Sequence, residues 1–257
     1  MNKTKIDWCD STWNPVTGCL HGCEYCYARG IAERFRAREL GKFGEEKVNG
    51  NYIYELNSPL LQRTLNGSCM KSAYPYGFAP TLHRYRLNDY IDKQGRNIFV
   101  CSMADLFGKW VPDSWIEEVF ATCEKAPQHN YLFLTKNPKR YEKILDRYMP
   151  PNMWFGWSQT GPMGNKCDFL THHSIKTFIS IEPLLEPFKE FHIKGVDWVI
   201  IGAETGRRKN KVVPERKWIE DIVKECRKEN VPVFMKSSLA EIWGEPLIQE
   251  FPAQLKK

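Results

Sequence analysis

Between residues 97 and 236 the chain repeats one pattern, a short apolar run followed by an amphipathic stretch. This pattern constrains the fold strongly, because runs that are apolar on both faces and rich in β-branched and aromatic residues are typical of buried parallel strands. The amphipathic stretches are typical of helices that cover such a sheet. The runs are NIFVCSM (97–103), YLFLT (131–135), WFGWS (154–158), TFISIE (177–182), DWVIIGAE (197–204) and VPVFMK (231–236).

Helices are predicted before and between these runs. A helix over 27–40 follows a first strand in DSTWNPVTGC. Ser114 and Glu117 have the spacing of a capping box that opens a second helix. A third follows Asn137-Pro138 and turns apolar residues as far as Tyr148 inward, and a fourth spans 214–230.

Strands alternating with helices predict an α/β fold with a parallel (β/α) barrel. Seven strands are one short of a closed eight-stranded barrel, so we expect a partial, TIM-like barrel formed by a single domain over 1–257. Residues 41–95 interrupt the pattern and are predicted to be an insertion, packed on the barrel, between the first helix and the second strand. The strands are predicted near 13–18, 98–103, 131–135, 154–158, 178–182, 198–203 and 232–236.

Composition limits the class of protein. No apolar run approaches the roughly 20 residues that a membrane span needs, and the start of the chain lacks the apolar core of a signal peptide. We therefore expect a soluble, cytoplasmic protein without a membrane partner. Nine cysteines is a high and odd number, and in a reducing compartment it favours metal or redox chemistry over a disulfide framework. The net charge of +6 permits a polyanionic partner without requiring one.

Polar residues stand at the carboxyl end of each predicted strand, where parallel α/β folds place their active sites. A single such residue is usually a strand end that turns to solvent, but a series along successive strands predicts a functional face. The residues concerned are Ser102, Asp105, Thr135, Lys136, Ser158, Gln159, Glu182, Glu204 and Lys236.

Three cysteines, Cys19, Cys23 and Cys26, lie within eight residues directly after the first predicted strand. A structural zinc site needs four ligands, and His21 is a poor fourth because it lies between two of the cysteines. A redox Cys-x-x-Cys pair would leave Cys19 unexplained. Three thiolates suit a 4Fe–4S cluster in which one iron is open to another ligand.

The spacing Cys19-x3-Cys23-x2-Cys26, with Tyr25 before the last cysteine, resembles the signature of the radical S-adenosylmethionine (SAM) superfamily. Several phrases in the same order extend the resemblance over nearly the whole chain, to a phage and bacterial radical-SAM-like family. These phrases are NPVTGC, SMADLF, LTKNP, SIEPLL, DWVIIGAETG and VPVFMK.

The resemblance implies a partial or full (β/α) barrel and two cofactors, a 4Fe–4S cluster bound by the three cysteines and SAM bound to the open iron. It also implies an enzyme that cleaves SAM to a 5′-deoxyadenosyl radical, which abstracts hydrogen from a substrate, and a one-electron reductant of flavodoxin or ferredoxin type. Ser102 and Asp105 stand where the superfamily commonly has a Gly-Gly-Glu contact to the SAM amino group. The other positions implied to contact cofactor are Tyr25, Ser158, Gln159, Glu182, Glu204 and Lys236.

The substrate is predicted from two basic segments. ETGRRKNK places Arg207, Arg208 and Lys209 beyond the sixth run, and YPYGFAPTLHRYRL mixes aromatics with His83 and Arg84. Interleaved aromatic and basic residues suit a nucleic acid or nucleotide, although ordinary surface or packed loops have the same composition. A second hypothesis is a non-catalytic nucleic-acid-binding protein in which the cysteines hold zinc or an iron–sulfur group.

Overall fold

The computed structural model describes residues 4–37, 45–48, 51–63, 66–146, 148–162, 175–188, 191, 193–206 and 208–256. The helices in these ranges are α1 (Tyr27–Arg34), α2 (Asp113–Lys125), α3 (Lys139–Ile144), α4 (Arg216–Lys228) and α5 (Ala240–Trp243). The strands are β1 (Ser11–Trp13), β2 (Val16–Thr17), β3 (Glu45–Val48), β4 (Asn51–Leu56), β5 (Leu61–Arg63), β6 (Cys69–Lys71), β7 (Thr81–His83), β8 (Asn97–Val100), β9 (Asn130–Thr135), β10 (Met153–Ser158), β11 (Lys176–Ile181), β12 (Trp198–Ile201) and β13 (Val233–Met235).

The main sheet has seven strands in the order β1-β8-β9-β10-β11-β12-β13, and each neighbouring pair is parallel. Strands that follow the chain order in one direction, with helices between several of them, form a partial barrel. The predicted (β/α) barrel is therefore confirmed. Among the described strands, β1 and β13 are the ends of the sheet, so the barrel is not closed by pairing between them.

The first strand differs from its prediction at 13–18. Only residues 11–13 join the main sheet, where β1 pairs with β8. Residues 16 and 17 form β2, which pairs antiparallel with β7 in a second, four-stranded sheet of order β2-β7-β4-β3. The chain changes sheets at Asn14-Pro15 because proline lacks the N–H that a continuous strand would donate. The stretch 41–95 supplies β3 to β7, and its assignment as an insertion of one domain stays a prediction.

Alternate residues of the main strands face opposite layers. Side chains on the outer face, such as Phe133 and Phe155, pack against Phe120 of α2. Side chains on the inner face form a separate aromatic cluster that fills the amino-terminal half of the barrel. This plug consists of Trp8, Phe99, Leu132, Trp154, Phe178, Trp198, Ile200, Phe234 and Leu255.

The plug is close-packed, so the barrel interior is apolar at its amino-terminal end and polar at its carboxyl-terminal end. Gly156 lies where a Cβ would be 2.4 Å from the ring of Phe178, so only glycine leaves room for that ring. Trp8 enters from the segment before β1, and its ring centroid is 4.7 Å from that of Phe99. The carboxyl-terminal half of the interior is left for polar side chains.

Three details of the predicted helices are wrong. The first helix, predicted over 27–40, ends at Arg34, and Phe35 is its C-cap. Pro112 precedes α2 as its N-cap, and no side chain caps this end, so Ser114 lies inside the helix and the capping box does not form. Tyr148 is 83% exposed, because α3 ends at Ile144 and the helical pattern of inward positions ends with it. Within the described ranges, every helix is too short or too polar to cross a bilayer.

Candidate active site

A cavity of about 490 Å³ opens at the carboxyl-terminal ends of the main strands. Its base is the inner aromatic layer, including Trp8 and Phe99, and its upper walls are polar. Most of the predicted site residues line it, although they come from distant parts of the chain. These are Cys19, Cys23, Cys26, Tyr25, Ser102, Asp105, Ser158, Glu182, Glu204 and Lys236. Gln159 is buried beside them, with its backbone N–H on the carbonyl of Ser180 (3.0 Å), but it is not part of the lining.

The cysteine loop, residues 18–26, begins at Gly18, whose backbone position is fixed by its neighbours. Its φ is +87°, and a Cβ there would lie 2.2 Å from the carbonyl oxygen of Ala79. The backbone N–H of Gly18 donates to the carbonyl of Met103 (2.9 Å), and that of Cys19 donates to Phe78 (3.2 Å). Two backbone hydrogen bonds therefore hold the start of the loop, at Gly18 and Cys19. A side chain at Gly18 would displace the backbone there.

Asp105 ties the cysteine loop to two barrel strands. One carboxylate oxygen is 2.6 Å from Nε2 of His21 and accepts from the backbone N–H of Lys136 (2.9 Å). The other accepts from the hydroxyl of Thr135 (2.7 Å) and from the backbone N–H of Phe107 (3.0 Å). Because both oxygens are occupied by protein groups, Asp105 acts in this structure as a clamp on the loop.

The three thiols line the same cavity. Burial raises the pKa of Cys19 to about 12, and the neighbouring charges that raise it further are Asp105, Cys23 and Cys26. Among the described residues, no three His, Cys, Asp or Glu side chains converge on a point that would suit a single metal ion. A 4Fe–4S cluster does not need such a point, because each thiolate binds a different iron. Three close thiols that line one cavity therefore fit the implied cluster.

Two tyrosines flank the last cysteine. Tyr25 lies under the ammonium of Lys136, with Nζ 5.3 Å from the ring centroid, and burial raises the pKa of this tyrosine. The hydroxyl of Tyr27 donates to the carbonyl of Ser102 (2.8 Å), which joins the start of α1 to the end of β8. The hydroxyl of Ser102 in turn bonds to Asn14 (3.2 Å). These contacts hold the cysteine loop against the barrel.

Glu182 and Lys236 form an ion pair inside the cavity. They follow β11 and β13, two strands that are separated by β12. The two side chains meet beside Gly202, which directly follows β12. A Cβ at Gly202 would lie 3.0 Å from Cδ of Lys236 and 3.3 Å from Cγ of Glu182. A side chain at this position would therefore crowd both members of the pair.

Glu204 is bound by the basic segment that follows it. Its side chain is 1% exposed and accepts two hydrogen bonds of 2.7 Å from the guanidinium of Arg208. Hydrogen bonding from Arg208 is the main reason that the pKa of Glu204 is lowered. The same guanidinium reaches Glu24 in the cysteine loop (3.1 Å). Arg208 therefore connects the end of β12 to the loop that carries the thiols.

The chain matches one protein-family model and resembles a solved structure. The family model described as "Protein of unknown function (DUF5131)" matches residues 3–250. The chain belongs to this family. No curated protein matches the sequence. Among solved structures, this DUF5131 protein is similar to a mutant of spore photoproduct lyase, with 10% identity, a TM-score of 0.46, and coverage of 91% of this chain and 79% of the other.

The residues predicted to meet substrate lie in different places in this DUF5131 protein. His83 is fully buried beside Thr17 (2.9 Å), and Arg84 pairs with Glu118 and Glu55. Neither lines the cavity. At these two residues the segment is therefore packed against the rest of the protein, as the alternative reading of its composition has it. Lys209 is exposed on the loop beyond β12, and Arg207 lies outside the described residues.

Several polar groups of the DUF5131 site were not predicted from the sequence, among them His21 and Ser180. His21 was considered only as a metal ligand, whereas it bonds to Asp105 and its ring packs on Trp110 at 4.9 Å. Ser180 was not selected, although it lines the cavity. Strand periodicity could have found it, because Ser180 is two residues before Glu182 and so shares its face.

Proposed function

We propose that this protein is a radical SAM enzyme, in which Cys19, Cys23 and Cys26 bind a 4Fe–4S cluster. One observation supports this most directly: the three thiols line the same cavity as the polar strand ends. When bound, the cluster would supply one electron to SAM. The S–C5′ bond of SAM would break to release methionine, and the 5′-deoxyadenosyl radical would abstract a hydrogen atom from substrate.

The chain's own residues would bind, orient and shield. The clamp of His21 and Asp105 holds the cysteine loop at a fixed place on the barrel. The aromatic base, with Trp8 and Phe99, keeps water from the inner end of the cavity. The Glu182–Lys236 pair and Glu204 offer charged groups to the ammonium and carboxylate of a bound cofactor, at the cost of loosening their present contacts.

The substrate class that we propose is a nucleic acid or nucleotide. Lys5 and Lys136 line the cavity, and within the described part of the chain no acidic side chain forms an ion pair with either. Cations without an acidic partner are suited to phosphate. The proposal also needs an external one-electron reductant of flavodoxin or ferredoxin type.

The test is anaerobic reconstitution with iron and sulfide, followed by incubation with SAM and dithionite. We expect a brown protein with about four irons per chain, which is the content of one 4Fe–4S cluster, and release of 5′-deoxyadenosine measured by liquid chromatography. Cys23→Ala should lose both the visible absorbance and the release of 5′-deoxyadenosine. A colourless protein that binds one zinc instead would favour the non-catalytic hypothesis.

Matched controls come from cysteines elsewhere in the chain. Cys69 is exposed on β6, and Cys123 and Cys226 are buried on α2 and α4. Their alanine variants should keep the iron content and the SAM cleavage of the parent protein. If Cys23→Ala cleaves SAM as well as these controls do, the proposed function is wrong.

A further inference from the structure

Helix α1 and its C-cap expose three large apolar side chains that begin at the cavity. Tyr27, Ile31 and Phe35 are 54%, 37% and 56% exposed. Because they are four positions apart, they lie on one face of the helix, at intervals of about 6 Å along its axis. Tyr27 also lines the cavity. These three residues, the α1 stripe, thus form a surface that continues from the cavity along the helix.

The packing of α1 on the protein does not use the α1 stripe. The helix packs instead through Ala28 and Ala32, which are buried in one apolar cluster with Phe78 and Met103. Single exposed apolar residues are normal on a protein surface, but a contiguous set beside a cavity is typical of a binding surface. The α1 stripe is therefore accessible to a ligand that also reaches into the cavity.

The charges beside the α1 stripe favour an anion. Arg29 and Arg34 of α1 are exposed to solvent. The cysteine loop and α1 have two acidic residues, and protein groups engage both. Glu24 pairs with Arg208 (3.1 Å), and Glu33 accepts a hydrogen bond from a backbone N–H (3.0 Å). We therefore expect a negatively charged ligand on this surface.

The composition and length of the α1 stripe fit a single-stranded nucleic acid. Aromatic rings stack with unpaired bases, and neighbouring arginines bind phosphates. From Tyr27 to Phe35 the stripe is about 12 Å long, which matches three to four nucleotides of a stacked strand at about 3.4 Å each. An acidic electron-donor protein would need to approach the cluster only from outside, whereas this stripe starts in the cavity lining.

We propose that a single-stranded nucleic acid lies along the α1 stripe, with its bases on Tyr27 and Phe35 and the reacting nucleotide in the cavity. This inference rests on the proposed function and deepens it, because it makes the substrate a strand of several nucleotides instead of a free nucleotide. The backbone of the strand would lie beside Arg34, whose charge neutralises phosphate.

The first test measures binding of a fluorescein-labelled single-stranded DNA oligonucleotide to the anaerobically reconstituted protein, by fluorescence anisotropy. Phe35→Ala removes one stacking contact and should weaken binding roughly 5- to 150-fold. Phe35→Tyr keeps an aromatic ring and should bind like the parent. Tyr148→Ala is the matched control, because Tyr148 is 83% exposed but follows α3, outside the stripe. It should also bind like the parent.

The second test measures how the same binding depends on salt. Arg34→Gln removes one phosphate contact, so the slope of log affinity against log salt concentration should fall by about 0.7, the value for a single strand. Lys125→Gln is the matched control, since Lys125 is an exposed cation in the last turn of α2. It should leave the slope unchanged.

The outcomes separate this inference from the proposed function. Equal affinities of the parent, Phe35→Ala and Tyr148→Ala would overturn the inference, and so would a parent that does not bind the oligonucleotide at low salt. If Phe35→Ala binds the oligonucleotide normally but is reduced more slowly by a flavodoxin, the α1 stripe docks the reductant, which also overturns the inference. A parent that shows the expected binding differences but takes up no iron and cleaves no SAM would refute the proposed function, while it would support the nucleic-acid surface on α1.

Discussion

Gly202 carries no side chain at the point where Glu182 and Lys236 meet across β12. Gly202→Ala should force these side chains apart, because its Cβ would lie 3.0 Å from Cδ of Lys236 and 3.3 Å from Cγ of Glu182. We expect a loss of about 1–3 kcal/mol in the free energy of unfolding, typical of overpacking, measured by urea denaturation. A variant as stable as the parent would show that the pair can move aside at no cost.

The pairing of Glu204 with Arg208 makes stability depend on pH. Since the pKa of Glu204 is lowered from 4.5, the ionised carboxylate stabilises the fold above that value, and the contribution is lost as the pH falls through the folded-state pKa. Glu204→Gln should therefore be less stable than the parent at neutral pH, and the difference should shrink below pH 4.5. Thermal midpoints across pH 3–7 would show whether the two curves converge.

The same variant also separates two roles of Glu204. If Glu204 serves the cofactor, Glu204→Gln should keep its iron content but bind SAM more weakly than the parent. Normal SAM binding and cleavage would leave Glu204 with the structural role of holding Arg208 against the cysteine loop.

At the scale of the element, α1 is short and has a glycine in its middle. A Cβ at Gly30 would meet no atom within 4 Å, so alanine fits there without a clash. Gly30→Ala should stabilise the protein by about 0.5–1 kcal/mol, because glycine loses more backbone freedom in a helix than alanine does. Urea denaturation would measure this gain, which is opposite in sign to the effect of the same substitution at Gly202. A loss of stability would mean that α1 requires the flexibility of glycine.

At the scale of the whole molecule, the chain's last segment closes the base of the barrel. Residues 248–250 bond to β13, through Met235 N–H to the Ile248 carbonyl (2.7 Å) and Glu250 N–H to Val233 (2.8 Å). Leu255 is 2% exposed and packs in the plug with Trp8. Leu255→Ala should therefore cost about 2–5 kcal/mol, as measured by urea denaturation.

Deleting the whole segment after Pro246 should destabilise the protein more than Leu255→Ala does. A chain that ends at Pro246 would leave the edge of β13 unpaired and the plug open to water, so it should not accumulate as a soluble, cooperatively folding protein. Cooperative unfolding of that chain at the parent's midpoint would contradict the role given to the segment.

The sequence by itself determined the strands of the main sheet and their order. Periodicity of apolar residues is a local property, and it was enough to predict seven parallel strands, the polar face at their carboxyl ends and a cysteine loop on that face. The spacing of Cys19, Cys23 and Cys26 is equally local. The same reasoning failed at Ser114 and Tyr148, where a helix end depends on the backbone of the turn more than on the residue type.

Only the tertiary structure decided which side chains meet. Glu182 and Lys236 are 54 positions apart, and strand register brings them together beside Gly202, where a side chain would crowd both. His21 could be recognised as a clamp only once Asp105 was brought beside it, and Ser180 as a site residue only once its hydroxyl was found in the cavity without a partner. Such contacts arise from the curvature and register of the sheet, which a local pattern does not encode.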